Sequence, residues 1–112
     1  MKKETLEGNK LIAEFMGVNG DESNKSFNDF LENSKYHNSW DWLMPVVENI
    51  ERHGCIVEIW LSLGKGCIII KGNFTKSVKT IANTESNSTI ESVWLSVLEY
   101  IDWHNKPKAP NQ

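Results

Sequence analysis

The stretch Gly54-Cys55-Ile56-Val57-Glu58-Ile59-Trp60-Leu61 decides the fold, because the hydrophobic period changes there from that of a helix to that of a strand. Its β-branched and aromatic residues predict a first strand over 55–61. The turn residues Leu63-Gly64-Lys65-Gly66 and the apolar run 67–71 then predict a hairpin with a returning strand. A weaker alternation within 77–82 predicts a third strand, so this part of the chain is expected to form an antiparallel meander.

Helical spacing is found on both sides of this meander. Residues 5–16 predict a short amphipathic helix. The stretch 36–51 predicts a second one, capped by Asn38 or Ser39, that either starts near Leu43 or is kinked at Pro45. Ser88-Thr89-Ile90-Glu91 is a capping box, which predicts a last helix running to about 103–105. The stretch 17–35, rich in Gly, Asn, Asp and Ser, is expected to be the least ordered internal segment, with room for one helical turn.

These elements predict an α+β fold with a small three-stranded antiparallel sheet and helices packed on one face. The predicted order is helix, helix, strand, strand, strand, helix. A length of 112 residues suits a single domain, assigned to 1–105, followed by a flexible tail over 106–112. The other sheet face is expected either to be polar and solvated or to meet a partner such as a second copy of the chain.

The charge of the chain is unevenly distributed. Twelve basic against fifteen acidic residues give a net charge of −3, which argues against a general nucleic-acid binder. The window 59–84 contains no acid, so it carries +4 and the remainder carries −7; its four lysines are Lys65, Lys71, Lys76 and Lys79. They either converge on an anion, helped by backbone amides of the Gly64-Lys65-Gly66 turn, or form a solvated edge that resists aggregation.

Two groups of aromatic residues are further candidates for a binding site. Tyr36, His37 and Trp40 lie close together with Trp42, where they could stack a flat ligand or fasten the entry of a helix to the sheet. Trp60 lies on the even-numbered face of its predicted strand, together with Ile56 and Glu58, and the odd-numbered residues lie on the opposite face. If the odd-numbered face is the core, Trp60 is an exposed aromatic of the kind that marks an interface.

The sequence predicts no enzyme, no cofactor and no metal site. His37, His53 and His104 are far apart in the chain, and no serine or cysteine lies in a nucleophile motif. Cys55 and Cys67 lack a CxxC pattern and are expected to be reduced core residues. Without a signal peptide or an apolar run of about 18 residues, the protein is expected in the cytoplasm.

Three runs of the sequence carry a resemblance: 9–17 (NKLIAEFMG), 36–48 (YHNSWDWLMPVVE) and 91–105 (ESVWLSVLEYIDWHN). They look like a group of short, uncharacterised bacteriophage and prophage proteins with a phage ABA-sandwich-like domain. The resemblance implies a phage origin and a location in the host bacterial cytoplasm, and it transfers no catalytic residue. The chain departs from this group most in 65–82, where its basic window lies.

Two functions are expected on these grounds. The first is a non-catalytic phage-encoded protein that sequesters a small anionic nucleotide-type ligand of host antiviral signalling. Its binding residues would be Lys65, Lys71, Lys76, Lys79, Trp60, Tyr36, His37 and Trp40. The alternative is a module that binds and inhibits, or adapts, a host or phage protein through an exposed sheet face. Both favour a homo-oligomer and involve neither generic nucleic acid nor a membrane.

Overall fold

Four helices and a three-stranded antiparallel sheet form the described part of the chain. The computed structural model describes residues 2–18, 20, 23–60, 66–71, 79–86 and 88–106, and positions 68, 70, 71 and 79 are placed by their backbone alone. The elements in chain order are α1 (Lys3–Phe15), α2 (Lys25–Glu32), α3 (Trp40–Arg52), β1 (Cys55–Ile59), β2 (Gly66–Lys71), β3 (Lys79–Glu85) and α4 (Thr89–Asn105). The predicted α+β class is confirmed. Lys65, Lys76, residues 63–65 of the predicted turn and the tail beyond 106 lie outside the described residues.

Helix α2 lies in the stretch that was expected to be the least ordered. The Asn24 side chain caps it by accepting a hydrogen bond from the Phe27 amide at 3.0 Å. Phe27 and Leu31, one helical turn apart, are both buried in the core. The polar composition of this stretch predicted a loop rather than a helix. One cap and one buried pair of side chains are nevertheless enough to hold these eight residues as a helix against the rest of the molecule.

Helix α3 begins at Trp40 and contains Pro45 in its interior. Proline removes the amide that would bond to the carbonyl of Asp41. Both Asp41 and Pro45 are exposed, so this carbonyl lies on the solvent side of the helix. The helix ends where the sequence predicted, before Gly54, whose φ of +85° turns the chain directly into β1.

The three strands pair in the order β1-β2-β3. Val57 lies opposite Ile69, which lies opposite Ala82, and a bulge follows between Ile69 and Ile70. The hairpin continues one residue beyond β1, because the Trp60 amide donates to the Gly66 carbonyl at 2.9 Å.

Helices cover one face of this sheet. Helix α3 packs on β1, α4 packs on β2 and β3, and α1 packs on α4 and α2. Residues of the sheet that are buried under the helices include Cys55, Cys67, Ile69 and Ala82, and both cysteines are free thiols. The Ser96 hydroxyl of α4 donates to the Cys67 carbonyl at 3.0 Å and lies 2.6 Å from the Thr84 hydroxyl, so polar contacts also hold α4 on the sheet.

Helix α1 approaches α4 most closely at Gly8. A Cβ atom at this position would lie 2.6 Å from Cζ2 of Trp94 and 2.9 Å from Cδ1 of Leu98. The Trp94 ring has little freedom to move aside, because its Nε1 donates to the Asn9 side-chain oxygen at 2.9 Å. The absence of a side chain at Gly8 therefore sets the separation of the two helices.

Replacing Gly8 by alanine tests this close approach. Alanine in a helix interior is normally more stable than glycine by about 0.5–1 kcal/mol. Here the added methyl group overlaps Trp94, so we expect Gly8→Ala to lower the free energy of unfolding by about 1–3 kcal/mol in urea denaturation. The exposed Glu7→Ala change on the same helix should stay within about 0.5 kcal/mol of wild type. A gain in stability for Gly8→Ala would contradict the packing described.

Candidate functional site

Trp60 is an exposed aromatic side chain at the edge of the sheet face that the described helices leave uncovered. The odd-numbered positions of β1 face the helices, so the alternation left open by the sequence is settled, and 42% of the Trp60 surface is exposed. Its backbone is held on both sides, since its amide bonds to Gly66 and its carbonyl oxygen accepts from the Thr89 hydroxyl at 3.4 Å. A large ring is thus presented to solvent from a backbone fixed between the hairpin and the start of α4.

Acidic side chains accompany Trp60 on this face. Glu58 is exposed two residues earlier on the same strand. Glu85 is exposed on β3 and pairs with Gly66, the residue opposite Trp60. Trp60, Gly66 and Glu85 form one row across the three strands. Because Gly66 has no side chain, this row presents only the Trp60 indole and the Glu85 carboxylate. This sheet face, defined by Trp60, Glu58, Glu85 and the half-buried Ile56, is called the open face below.

The basic positions of the sheet lie at its other end. The register places Lys71 opposite Lys79 on β3 and opposite Cys55 on β1. Lys71 is five residues along β2 from Gly66, so the backbone rows of Trp60 and of the two lysines are separated by about 17 Å. A ligand that contacts both rows must therefore be extended. The other two candidate lysines, Lys65 and Lys76, lie outside the described residues.

The aromatic group before α3 is divided between core and surface. Tyr36 is only 6% exposed, and its ring meets that of Trp42 edge-on with centroids 5.0 Å apart. Burial raises the pKa of the Tyr36 hydroxyl. Trp42 also contacts Phe30 and packs against the core, so it fastens the entry of α3. Trp40 is 38% exposed on the first turn of that helix.

A buried polar cluster around Asn9 was not anticipated from the sequence. Asn9 lies on α1 with no exposed surface, and its side chain contacts Ser34, His37 and Trp94. The sequence does contain a signal for this cluster: Asn9 lies one turn before Ile12 and Ala13, so helical spacing places it on the apolar face of α1. The cluster joins α1, the connection between α2 and α3, and α4.

The direction of each hydrogen bond in this cluster follows from Trp94. An indole N–H can only donate, so the Asn9 oxygen must face it, and the Asn9 amide nitrogen must face the other two partners. This nitrogen donates to the Ser34 hydroxyl at 3.0 Å, and that hydroxyl in turn donates to the Leu31 carbonyl at 2.7 Å. The Asn9 amide nitrogen also donates to His37 Nδ1 at 2.9 Å. His37 is therefore neutral, with its proton on Nε2.

Protonation of His37 opposes this arrangement. An imidazolium would carry a hydrogen on Nδ1, directed at the amide hydrogens of Asn9. Burial of the ring also disfavours the protonated form and lowers the pKa of His37. The role of His37 in the described structure is thus to accept a hydrogen bond in a structural cluster.

We expect the stability of the protein to depend on pH through His37. Its folded pKa lies below that of the unfolded chain, about 6.5, so the unfolded state binds more protons as the pH falls through this value. The free energy of unfolding of wild type, measured relative to His37→Gln, should therefore decrease between about pH 7 and pH 5. Glutamine accepts from Asn9 without titrating, and the rest of the chain is the same in both proteins, so its contributions cancel in the comparison. A difference that is constant with pH would refute this role.

No family model, curated protein or solved structure matches the chain. Among the described residues, no group of three or more His, Cys, Asp or Glu side chains is placed to hold a metal ion. No helix in the described ranges is long and apolar enough to cross a membrane.

Proposed function

We propose that this protein is a non-catalytic module that binds another protein through its open face. The observation that carries the proposal is Trp60, an indole exposed on a sheet face that the described helices leave uncovered. Tryptophan is enriched among residues that dominate protein–protein binding energy, because it buries a large apolar area with little loss of side-chain freedom. Its backbone is held by hydrogen bonds before binding, so less backbone freedom is lost when a partner binds.

The charge of the open face specifies the chemistry of the partner. Glu58 and Glu85 are both exposed beside the Trp60 row. A complementary surface has an apolar pocket for the indole, with lysine or arginine at its rim. In the phage setting that the sequence resemblance implies, such a partner is a host or phage protein that this module inhibits or adapts.

Site-specific photo-crosslinking tests this proposal. A photoreactive phenylalanine analogue at position 60 should crosslink the partner in infected cells, whereas the same analogue at the similarly exposed position 40 should not. Trp60→Ala should abolish capture of the crosslinked protein, Trp40→Ala should retain it, and Glu58→Gln/Glu85→Gln should weaken it roughly tenfold. Crosslinks at position 40 alone would refute the proposal. Crosslinks to a second copy of the chain would instead assign the open face to homo-oligomerisation.

A second candidate function is the sequestration of a small nucleotide-type anion at the other end of the sheet. The observation that favours it is the register, which sets Lys71 directly opposite Lys79 in a window without acidic residues. Two neighbouring cationic positions suit a phosphate group. In a phage protein, this function would remove a nucleotide signal of host defence.

The nucleotide candidate predicts a ligand-induced rise in melting temperature. A ligand that binds only the folded state stabilises it by mass action. We expect at least one cyclic or linear nucleotide to raise Tm in wild type and not in Lys71→Ala/Lys76→Ala/Lys79→Ala. The variant Lys2→Ala/Lys25→Ala/Lys35→Ala removes the same charge from exposed positions elsewhere and should keep the shift. An absent shift, or equal loss in both variants, would dismiss this candidate.

A further inference from the structure

Strand β1 lies at one edge of the sheet, since β2 is its only partner among the described strands. The Trp60 amide donates to the carbonyl of Gly66, the residue that continues the register of the pair. In an antiparallel pair, only every second residue exchanges backbone hydrogen bonds with the neighbouring strand. The residues of β1 that bond to β2 are therefore the even-numbered ones, Ile56 and Glu58.

The backbone groups of the odd-numbered residues point away from β2. Val57 lies opposite Ile69 and Ile59 opposite Cys67, and in both pairs the N–H and C=O of β1 are directed to the outer edge. None of the hydrogen bonds between described segments reaches the backbone of Val57 or Ile59. The outer edge of β1 therefore presents amide donors and carbonyl acceptors with the spacing of a strand.

The side chains of Val57 and Ile59 are only partly covered, although they lie on the helix side of the sheet. Both are half-buried against the core, whereas their neighbours on β2, Ile69 and Cys67, have no exposed surface. The cover that the helices provide is thus incomplete at β1. Apolar side chains of an added strand would cover the rest of Val57 and Ile59 by cross-strand contact.

Glu58 sets the charge of this edge on the opposite side of the sheet. It is exposed on the open face, and it is the only charged residue of β1. A basic side chain beside it in an added strand forms an opposite-charge pair, whereas an acidic one is repelled. The edge therefore favours a strand in which apolar residues alternate with lysine or arginine.

The other edge of the sheet is less suited to an added strand. The pairing of β3 with β2 is interrupted by the bulge between Ile69 and Ile70, and β3 begins at Lys79 and ends at Glu85. Bulges and charged residues are common means by which proteins keep an edge from pairing. The register of β1 with β2 has no shift, and β1 begins and ends with apolar residues.

A second copy of the chain does not fit the edge of β1. Symmetric antiparallel pairing of two β1 strands would place the helices of both copies on one face of a continuous sheet. Neighbouring strands are about 4.8 Å apart, whereas the axes of packed helices need about 8–10 Å. Because α3 packs on β1, the two α3 helices would overlap. A single extended segment brings no helix with it and avoids this overlap.

We propose that β1 binds an extended segment of another protein, which adds to the sheet as an antiparallel strand. Its backbone bonds to Val57 and Ile59, its apolar side chains cover these two residues, and its basic side chains lie beside Glu58. In this mode of recognition, main-chain hydrogen bonds provide affinity and alternate side chains provide specificity. The proposal does not depend on the open face as a binding surface, because it uses backbone groups of the edge and does not require Trp60.

Amide hydrogen exchange of the full chain, followed residue by residue with NMR, tests the added strand. The probes are two peptides, one alternating valine with lysine and the other alternating valine with glutamate. In the free protein, the amides of Val57 and Ile59 should exchange roughly tenfold faster than those of Ile56 and Glu58. The lysine peptide at about 1 mM should slow Val57 and Ile59 roughly tenfold and leave Ile56 and Glu58 nearly unchanged.

Two results of the exchange experiment would overturn the proposal. Slow exchange of Val57 and Ile59 without peptide would show that the edge is already occupied, by a second copy or by the chain itself. Absence of slowing with the lysine peptide, or slowing confined to β3, would show that β1 does not accept the strand.

Methylation of the peptide backbone tests the direction of the added strand and needs no variant of the protein. In an antiparallel pair, the residues opposite Val57 and Ile59 exchange hydrogen bonds with them, and these are the valines of the peptide. Methylating the valine nitrogens should abolish binding in calorimetric titration, whereas methylating the lysine nitrogens should retain it. The reverse pattern, or equal effects, would contradict an antiparallel strand on β1.

Charge reversal at Glu58 tests the specificity. Wild type should bind the lysine peptide roughly tenfold more tightly than the glutamate peptide, and Glu58→Lys should reverse this preference. Glu85→Lys is the matched control, because it makes the same change on the open face at the other edge of the sheet and should keep the wild-type preference. An unchanged preference in Glu58→Lys would overturn the assignment of the basic side chains.

Discussion

The side chain of Asn9 is the contact on which the arrangement of the helices depends. It is completely buried and joins α1 to Ser34 and His37 on one side and to Trp94 on the other. A buried amide with a missing partner costs about 1–3 kcal/mol, so the three partners must be in place together. The bond to Trp94 also holds the indole against Gly8, which sets how closely α1 lies on α4.

The packing of α1 on α4 has consequences at the other end of these helices. Because α1 is fixed along α4, its last residue, Phe15, reaches the rings of Tyr100 and His104. Helix α3 brings His53 to the same place. On the sheet side, α4 is held by Ser96 and by the buried face of β2 and β3, which leaves the opposite face open. The open face and the cluster of rings at the helix ends are thus consequences of one packing arrangement.

Much of the fold could be predicted because its signals are local. The predicted cap at Ser88 is present, since its hydroxyl accepts from the Glu91 amide at 3.1 Å, whereas the Ser88 amide donates to the Ser86 hydroxyl at 3.4 Å. Gly54 ends α3 through a positive φ. Strands β1 and β2 lie close to their predicted ranges, whereas β3 (Lys79–Glu85) extends beyond the predicted 77–82. Helix α2 was not predicted as a full helix, because its cap at Asn24 and its buried pair are surrounded by residues typical of loops.

By itself, the sequence determined the type and order of every element except α2, and the alternation that gives β1 two chemically different faces. Hydrophobic period, caps and turn residues act over one or two turns of chain, and these are properties of neighbouring residues. Only the tertiary structure decided that the odd-numbered face is covered and Trp60 exposed, that Asn9 meets Trp94, and that His53 lies beside His104. These outcomes depend on which helix covers which surface, and burial and hydrogen bonding between distant segments select that arrangement.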